Sequence, residues 1–397
     1  MKLRPFRRLR RLRRIVVRML FASAIAATSS LTVADTIKVG MSAALTGPAS
    51  ALGNGVKTGV ESYFARVNAA GGVNGKTIEF IALDDGYEPD RAAPNMNALI
   101  DDKGVVAVIG NVGTPTAIVT VPIANAKKTV LFGAYTGAGV LRKTPPDRYV
   151  INYRASYAEE TAAMVDGLMS IGIKPEEIAF FTQNDGYGDA GYNGAVAALK
   201  ARGFADTDSL AHGRYARNTT NVEGALGTIL DADTEPKAII MVGAYAPCAE
   251  FIRQAKQDMD EVLFVNVSFV GSLPLLNALG DDAEGVIVTQ VVPHYESDLA
   301  GVAEYRKDLA EYGGGAKPDF VSLEGYLAAK IFVEGLKSSA ATDRESVIDG
   351  IESLSGLDVG IGVPVSFAKD KHQASHEVWP TVIRNGHYES LEWSQLR

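Results

Sequence analysis

The residues able to do chemistry in this chain are few and scattered. Five histidines stand at 212, 294, 372, 376 and 387. His372 and His376 have the i, i+4 spacing of a helical metal pair. They lie, however, in a Lys/Asp/Gln/Ser stretch before a predicted strand, with no H-E-x-x-H motif. No G-x-S-x-G elbow offers a serine nucleophile. Cys248, the single cysteine, has no histidine near it in sequence and reads as a small buried apolar residue. Neither catalysis, nor a metal, nor a cofactor is expected. What remains is the chemistry of capture. Gly110-Asn111-Val112-Gly113-Thr114-Pro115-Thr116 follows a predicted strand and opens a predicted helix, with Thr114 suited to the N-cap and Pro115 to the first helical position. Free N–H groups, a hydroxyl and the positive end of the helix dipole at one spot suit a carboxylate; the same string equally serves as a plain helix start. The loop Gly133-Ala134-Tyr135-Thr136-Gly137-Ala138-Gly139 is rich in small residues, which let backbone amides approach a ligand. It is not a dinucleotide fingerprint, and Gly53-Asn54-Gly55 lacks the Lys-Ser/Thr of a phosphate loop.

These loops need a scaffold, and the periodicity supplies one. Strands are predicted over 37–41, 77–83, 105–109 and 129–132, with helices over 54–69, 90–102 and 115–127. The order predicts a parallel sheet covered on both faces. The rhythm restarts with helix 157–171, strand 178–182, helix 188–202, a strand near 208–212, helix 220–232, strand 238–242, helix 247–257 and strands 262–265 and 285–290. Helices near 297–312, 319–337 and 343–354 follow, then a β-rich tail over 363–367, 378–384 and 387–391, with the Asn385-Gly386 turn before its last strand. The fold class is therefore α/β, two open units in tandem with no linker composition between them.

Length and charge agree. A chain of 397 residues with 47% hydrophobic and 22% charged residues suits two globular cores rather than one. Residues 1–34 read as a secretory signal: a basic head from Arg7 to Arg18, a short apolar run from Met19 to Ala27, and small residues ending in Thr32-Val33-Ala34. Cleavage after Ala34 is expected, giving a periplasmic protein that is not membrane-embedded when mature. Arg13-Arg14 leaves twin-arginine export open beside the general route. Nine of the 39 basic residues and none of the 47 acidic ones lie in that segment, so the remainder carries 30 against 47, formally −17. Such a surface repels nucleic acid.

Ile37-Lys38-Val39-Gly40-Met41 through Leu45-Thr46-Gly47-Pro48 resembles the first strand and loop of type I periplasmic binding proteins of the branched-chain amino acid class. Asn68-Ala69-Ala70-Gly71-Gly72-Val73-Asn74-Gly75-Lys76 with Leu83-Asp84-Asp85, Val108-Ile109-Gly110, Asn184-Asp185-Gly186-Tyr187-Gly188 and Leu323-Glu324-Gly325-Tyr326 extend the resemblance in order over nearly the whole mature chain. It implies a two-lobed clamp, a Venus flytrap whose lobes are each a helix-flanked parallel sheet, with crossings near Arg154, near 290–293 and near Val363-Pro364. Lobe 1 would be 35–154 plus 292–362, and lobe 2 would be 155–291 plus 363–397. It implies a binder for an ABC importer, taking an amino acid (branched-chain or related) or a similar small carboxylate and docking on a membrane permease. A ligand sensor of the same fold, or a binder of an aromatic acid or amide, is the alternative.

The resemblance also nominates residues. Thr114 aligns with the ligand-carboxylate hydroxyl, with Thr116 in the same loop; Tyr135, Thr136 and Gly137 stand in the second contact loop. Tyr187 stands at an aromatic lid and Tyr245 at a second ligand-facing tyrosine. Ser268 occupies the position of the acid that pairs with a ligand ammonium, Leu52 that of an aromatic residue, and Tyr87 and Gly113 those of a disulfide. On the helix near 319–337, Glu324 projects from the face shared by Phe320, Leu323, Leu327, Ala328 and Ile331, near Tyr326. A buried carboxylate there needs a partner, either a ligand ammonium or a hydrogen-bond network within the protein.

Overall fold

β-Branched and aliphatic runs between the amphipathic segments gather into two sheets. The computed structural model describes Met1, residues 36–259 and residues 261–396; apart from Met1, the expected signal segment lies outside the described residues. In the first sheet β1 (Thr36–Ala43), β2 (Thr77–Asp84), β3 (Ala107–Ile109), β4 (Val130–Phe132) and β5 (Val150–Ile151) are all parallel, in the spatial order 2-1-3-4-5. Every residue of β3 and β4 is buried, as strands covered on both faces require. The second sheet repeats that winding with β6 (Ile178–Gln183), β7 (His212–Tyr215), β8 (Ala238–Val242), β9 (Leu263–Asn266) and β10 (Ile287–Gln290). β11 (Trp379–Arg384) and β12 (His387–Ser390) then add antiparallel, because Asn385 and Gly386 take φ of 51° and 75° and close a two-residue hairpin.

Helices α1 (Ser50–Ala69), α2 (Pro89–Asn97) and α3 (Thr114–Ala126) link the first sheet. Helices α4 (Tyr157–Ser170), α5 (Gly186–Ala201), α6 (Glu223–Leu230), α7 (Tyr245–Ala255) and α8 (Ser272–Leu279) link the second. The chain then returns: α9 (Ala300–Tyr312) and α10 (Phe320–Ser338) pack on α1, and α11 (Arg344–Glu352) packs on α10. α10 is buried along almost its whole length, including Glu324.

Three elements differ from expectation. The strand near 208–212 sits at 212–215, because Thr207–Ser209 form a 3-10 turn. α8 was not expected; Gly271 and Pro274 mask a short helix whose Leu275 and Leu279 are its inward stripe. Residues 363–367 make only one bridge, Val365 to Leu357, rather than a strand.

Three passages join the sheets. β5 continues through Asn152-Tyr153-Arg154 to Ser156, which caps α4 in a reciprocal box with Glu159. The second runs from Gln290 to α9. The third comes later than Val363-Pro364. Phe367 N–H still bonds Leu354 O (2.8 Å), and Ala374 and Ser375 N–H bond the carbonyls of Asn152 and Tyr153 (3.0 and 2.8 Å). Sheet membership therefore changes between Ser375 and Trp379, and the first and third passages run side by side as a hydrogen-bonded pair.

Candidate functional site

In both sheets the strand order reverses between the first strand and the third, β1/β3 and β6/β8, and ligands of such sheets bind beyond the carboxyl ends at that reversal. The loops following these strands come together here. Helix α3 starts at Thr114, one residue earlier than expected, and Gly113 is its N-cap at φ 104°. A Cβ on Gly113 would lie 2.1 Å from the Tyr87 ring, so Gly113 and Tyr87 are in direct contact. Released from capping, the Thr114 hydroxyl hydrogen-bonds that of Thr136 (2.7 Å), and both residues are buried. Thr116 is spent locally: its hydroxyl donates back to Val112 O and Gly113 O. The Gly137 carbonyl accepts from Tyr157 N–H (2.8 Å), and a Cβ on Gly137 would stand 2.5 Å from that nitrogen.

The second sheet supplies the opposing wall. Tyr187, at the start of α5, is fully buried; its hydroxyl donates to Gly243 O (3.1 Å) and its ring packs on Phe269 and Tyr157 at 4.5 and 5.3 Å. Phe269 also meets Tyr135 and Tyr87 at 5.4 and 5.9 Å. The Tyr135 hydroxyl donates to Ser268 O (3.1 Å), a direct bond between the loop after β4 and the loop after β9. Burial raises the pKa of Tyr87, Tyr135 and Tyr187 far above the ordinary phenol value and pushes Tyr157 to about 12, so all four are neutral donors at physiological pH.

Arg154, on the first passage, stands at the centre and is 1% exposed. Its guanidinium pairs with Glu160 (3.0 Å) and Glu324 (3.4 Å), hydrogen-bonds the Ser268 hydroxyl, and lies over the rings of Tyr135 and Tyr157 at 5.1 and 5.8 Å. Burial alone lowers its pKa, but the two carboxylates outweigh burial and hold it charged. Glu160 also accepts from Ser268 N–H, Ser268 Oγ and Thr289 Oγ1 at 2.8, 2.9 and 2.8 Å. Burial lifts Glu324 to about 7, against the opposing pull of Arg154. Arg142 braces the small-residue loop from behind, donating to the carbonyls of Thr136, Ala138 and Arg154. At the rim, Arg217 spans Glu88 (2.7 Å) and Asp185 (3.1 Å), and Asn218 also bonds Glu88 (2.7 Å).

The structure thus brings Thr114, Tyr135, Thr136, Gly137, Tyr187, Ser268 and Glu324 into one buried cluster where the loops of the two sheets meet. Tyr245 is half-buried at the start of α7 and makes no side-chain hydrogen bond or ring contact with the described residues. Tyr326 packs inside the first unit, on Tyr63 and Tyr305, with its hydroxyl on Asp308. The partner of Glu324 is an internal one, Arg154. His372 and His376 share no helix: the first pairs with Glu352 (3.1 Å) and the second with Glu159 (2.5 Å). Sequence reasoning missed Arg154 as a site residue, together with Glu160, Tyr157 and Phe269. One signal was available: Glu160 falls on the face of α4 that also carries Tyr157, Met164 and Leu168.

The family model for periplasmic binding proteins matches residues 36–387. A solved structure of a possible leucine/isoleucine/valine-binding protein from Rhodopirellula baltica is 48% identical, with a TM-score of 0.90, covering 93% of this chain and 99% of that one. The Leu/Ile/Val-binding protein of Escherichia coli is 26% identical over 280 residues, 66% of this chain and 70% of its own. The leucine-, isoleucine-, valine-, threonine- and alanine-binding protein of Pseudomonas aeruginosa is 25% identical over 360 residues, 85% and 87% of the two chains. With the twin-sheet fold, these matches show that the chain belongs to the type I periplasmic binding proteins of the branched-chain amino acid class, which bind solutes and are not enzymes.

Proposed function

We propose that this protein is the periplasmic substrate-binding component of an ABC importer, capturing one small carboxylate-bearing solute, an amino acid of the branched-chain type or a related acid, and presenting the closed form to a membrane permease. One observation carries the reading: the loops at the carboxyl ends of the two sheets meet, with Thr114 bonded to Thr136, the Tyr135 hydroxyl to Ser268 O, Tyr187 packed on Phe269, and the buried Arg154 guanidinium on Ser268 beneath the Tyr135 ring. The names of the relatives support the carboxylate class, and the side-by-side passages at Asn152 and Gln373 suit a hinge. Among the described residues no helix is long and apolar enough to cross a membrane.

Within this reading Thr114 and the first N–H groups of α3 hold the carboxylate. The aromatic residues supply apolar area with little entropy to lose. Hinge closure then excludes water. A thermal-shift panel of amino acids, 2-oxo acids, aromatic acids, amides and dicarboxylates tests it, because a ligand bound only by the folded form raises Tm. X-ray scattering with the best ligand should show a smaller radius of gyration than an open form. A panel in which no carboxylate raises Tm, or a solute recovered chemically altered, would overturn the proposal.

A further inference from the structure

We infer that His372 is a buried imidazolium that pins the first and third passages together, so that the hinge they form loosens as the medium turns alkaline. This rests on the reading of those passages as a hinge and adds a control to it.

A tight turn aims the third passage. Ala368 and Lys371 exchange backbone hydrogen bonds (3.0 and 2.9 Å), and the chain then lays His372 against the first passage. The His372 side chain is 2% exposed. Its Nδ1 stands 3.1 Å from Asp147 O and 3.0 Å from Val150 O. Carbonyl oxygens only accept, so Nδ1 carries a proton. Its Nε2 stands 3.1 Å from Glu352 Oε1, at the end of α11. Both Glu352 oxygens also accept from Arg148 Nη1 (3.0 Å each), and bonds to Asp349 and Glu352 hold Arg148 charged. The proton between Nε2 and Oε1 belongs to the nitrogen, since imidazole is more basic than a carboxylate by roughly two pH units. Both ring nitrogens are therefore protonated, and the ring is a cation.

That cation is tied to the hinge through its own backbone. His372 O accepts from Asn152 N–H (2.7 Å), and Ala374 and Ser375 continue the pairing with Asn152 and Tyr153. Next to it, Gln373 accepts from Arg142 (2.8 Å), the brace of the small-residue loop, and donates to Glu159 (2.8 Å) on α4. One short stretch of backbone thus sets ties to both sheets. Loss of the Nε2 proton leaves a lone pair facing a carboxylate oxygen where water is excluded, and two buried acceptors with no donor between them repel. Imidazole is the side chain whose charge ordinarily changes between pH 5 and 8. The pin therefore holds on the acid side of that range and slips as pH rises. The other ionisable groups around it are Asp147, paired with Lys143 (2.7 Å), and Glu345 and Asp349 around Arg148. Asp370, Lys371, Arg142 and His376 line the cavity beside it. Of these only His376 is a second imidazole, 58% exposed against Glu159.

The whole mature protein, free of solute, tests the inference. Ring-nitrogen NMR at pH 6 should show both His372 nitrogens protonated; a ring with one proton overturns it. Hydrogen exchange should show the protection factors of the Ala374 and Ser375 amides falling at least about fivefold from pH 6 to pH 8.5, after correction for intrinsic exchange. A smaller fall overturns it. His372→Asn keeps a donor for the two carbonyls but cannot titrate, and His376→Gln removes the other imidazole. The fall should vanish in the first variant and persist in the second. A fall that survives His372→Asn, or is lost with His376, overturns the inference. Should His372→Asn not fold, Glu352→Gln replaces it: an amide turns over to serve either form of the ring, so the fall should shrink below about twofold; an undiminished fall overturns the inference. None of these measurements involves a ligand, so the thermal-shift panel judges the solute trap separately.

Discussion

Replacing Arg154 with methionine keeps volume and removes the central charge. Arg154 is 1% exposed and Glu160 is 0% exposed, so the change strips the cation from a dry carboxylate. Breaking a buried pair from one side costs about 3–5 kcal/mol, most of it from the charge left behind. Two structural facts set this case near the lower end. Glu160 keeps three donors from Ser268 and Thr289. Glu324, already lifted to about 7 from an ordinary 4.5, escapes by taking a proton. The expected loss is thus about 3 kcal/mol near pH 6. With a urea slope of about 3 kcal/mol/M, the unfolding midpoint falls by about 1 M. The pH dependence has a definite sign. Without Arg154 the folded pKa of Glu324 rises above 7, so at pH 6 it is protonated in both proteins and contributes no difference. At pH 8 the parent ionises it and the variant does not, adding up to about 1.4 kcal/mol per unit of extra shift. Urea titrations at pH 6 and 8, in a cycle with Glu160→Gln, would read both effects, with a coupling of about 1–3 kcal/mol between the two sites. A loss under about 1 kcal/mol, or one that shrinks from pH 6 to pH 8, would refute the assignment of Arg154 as the electrostatic centre.

Other perturbations follow from the same geometry. Thr114→Ala should weaken carboxylate binding by about 1–3 kcal/mol in calorimetric titration, the worth of a hydroxyl bond to a charged group; unchanged affinity would remove Thr114 from the site. Glu324 is faced by Arg154, Glu160, Arg142, Tyr135 and Tyr153, and an arriving carboxylate should raise its pKa further from about 7. Anion binding should then tighten as pH falls from 8 to 6 and take up protons, which titrations in buffers of different ionisation enthalpy detect; proton release would contradict it. Arg217→Ala cuts the rim ties to Glu88 and Asp185. Because the pair is partly exposed, stability should fall by no more than about 1 kcal/mol, while stopped-flow ligand release quickens; an unchanged release rate would show that the rim does not hold the lobes together.

Much of this molecule was legible in one dimension. Alternating β-branched runs and amphipathic segments gave the winding of both sheets, and Asn385-Gly386 gave the final hairpin, since these signals are local: period two, period 3.6 and the need for positive φ. Thr114 was nominated by the family resemblance beside its glycine-rich approach and following proline, although its helix begins one residue early because Gly113, not Thr114, takes the capping position against Tyr87. α8 escaped because Gly271 and Pro274 punctuate it like a loop.

The charge arrangement of the cleft was a different matter. Glu324 could be seen to point inward, yet its partner lies 170 positions away along the chain. Arg154 read only as a crossing residue, and Glu160 as one more helix acid. The sequence alone determined the twin α/β design, because hydrophobic periodicity and turn chemistry act over a few residues. Only the tertiary structure decided that one guanidinium stands between the two buried acids, because charge pairing depends on distances between segments that no local spacing encodes.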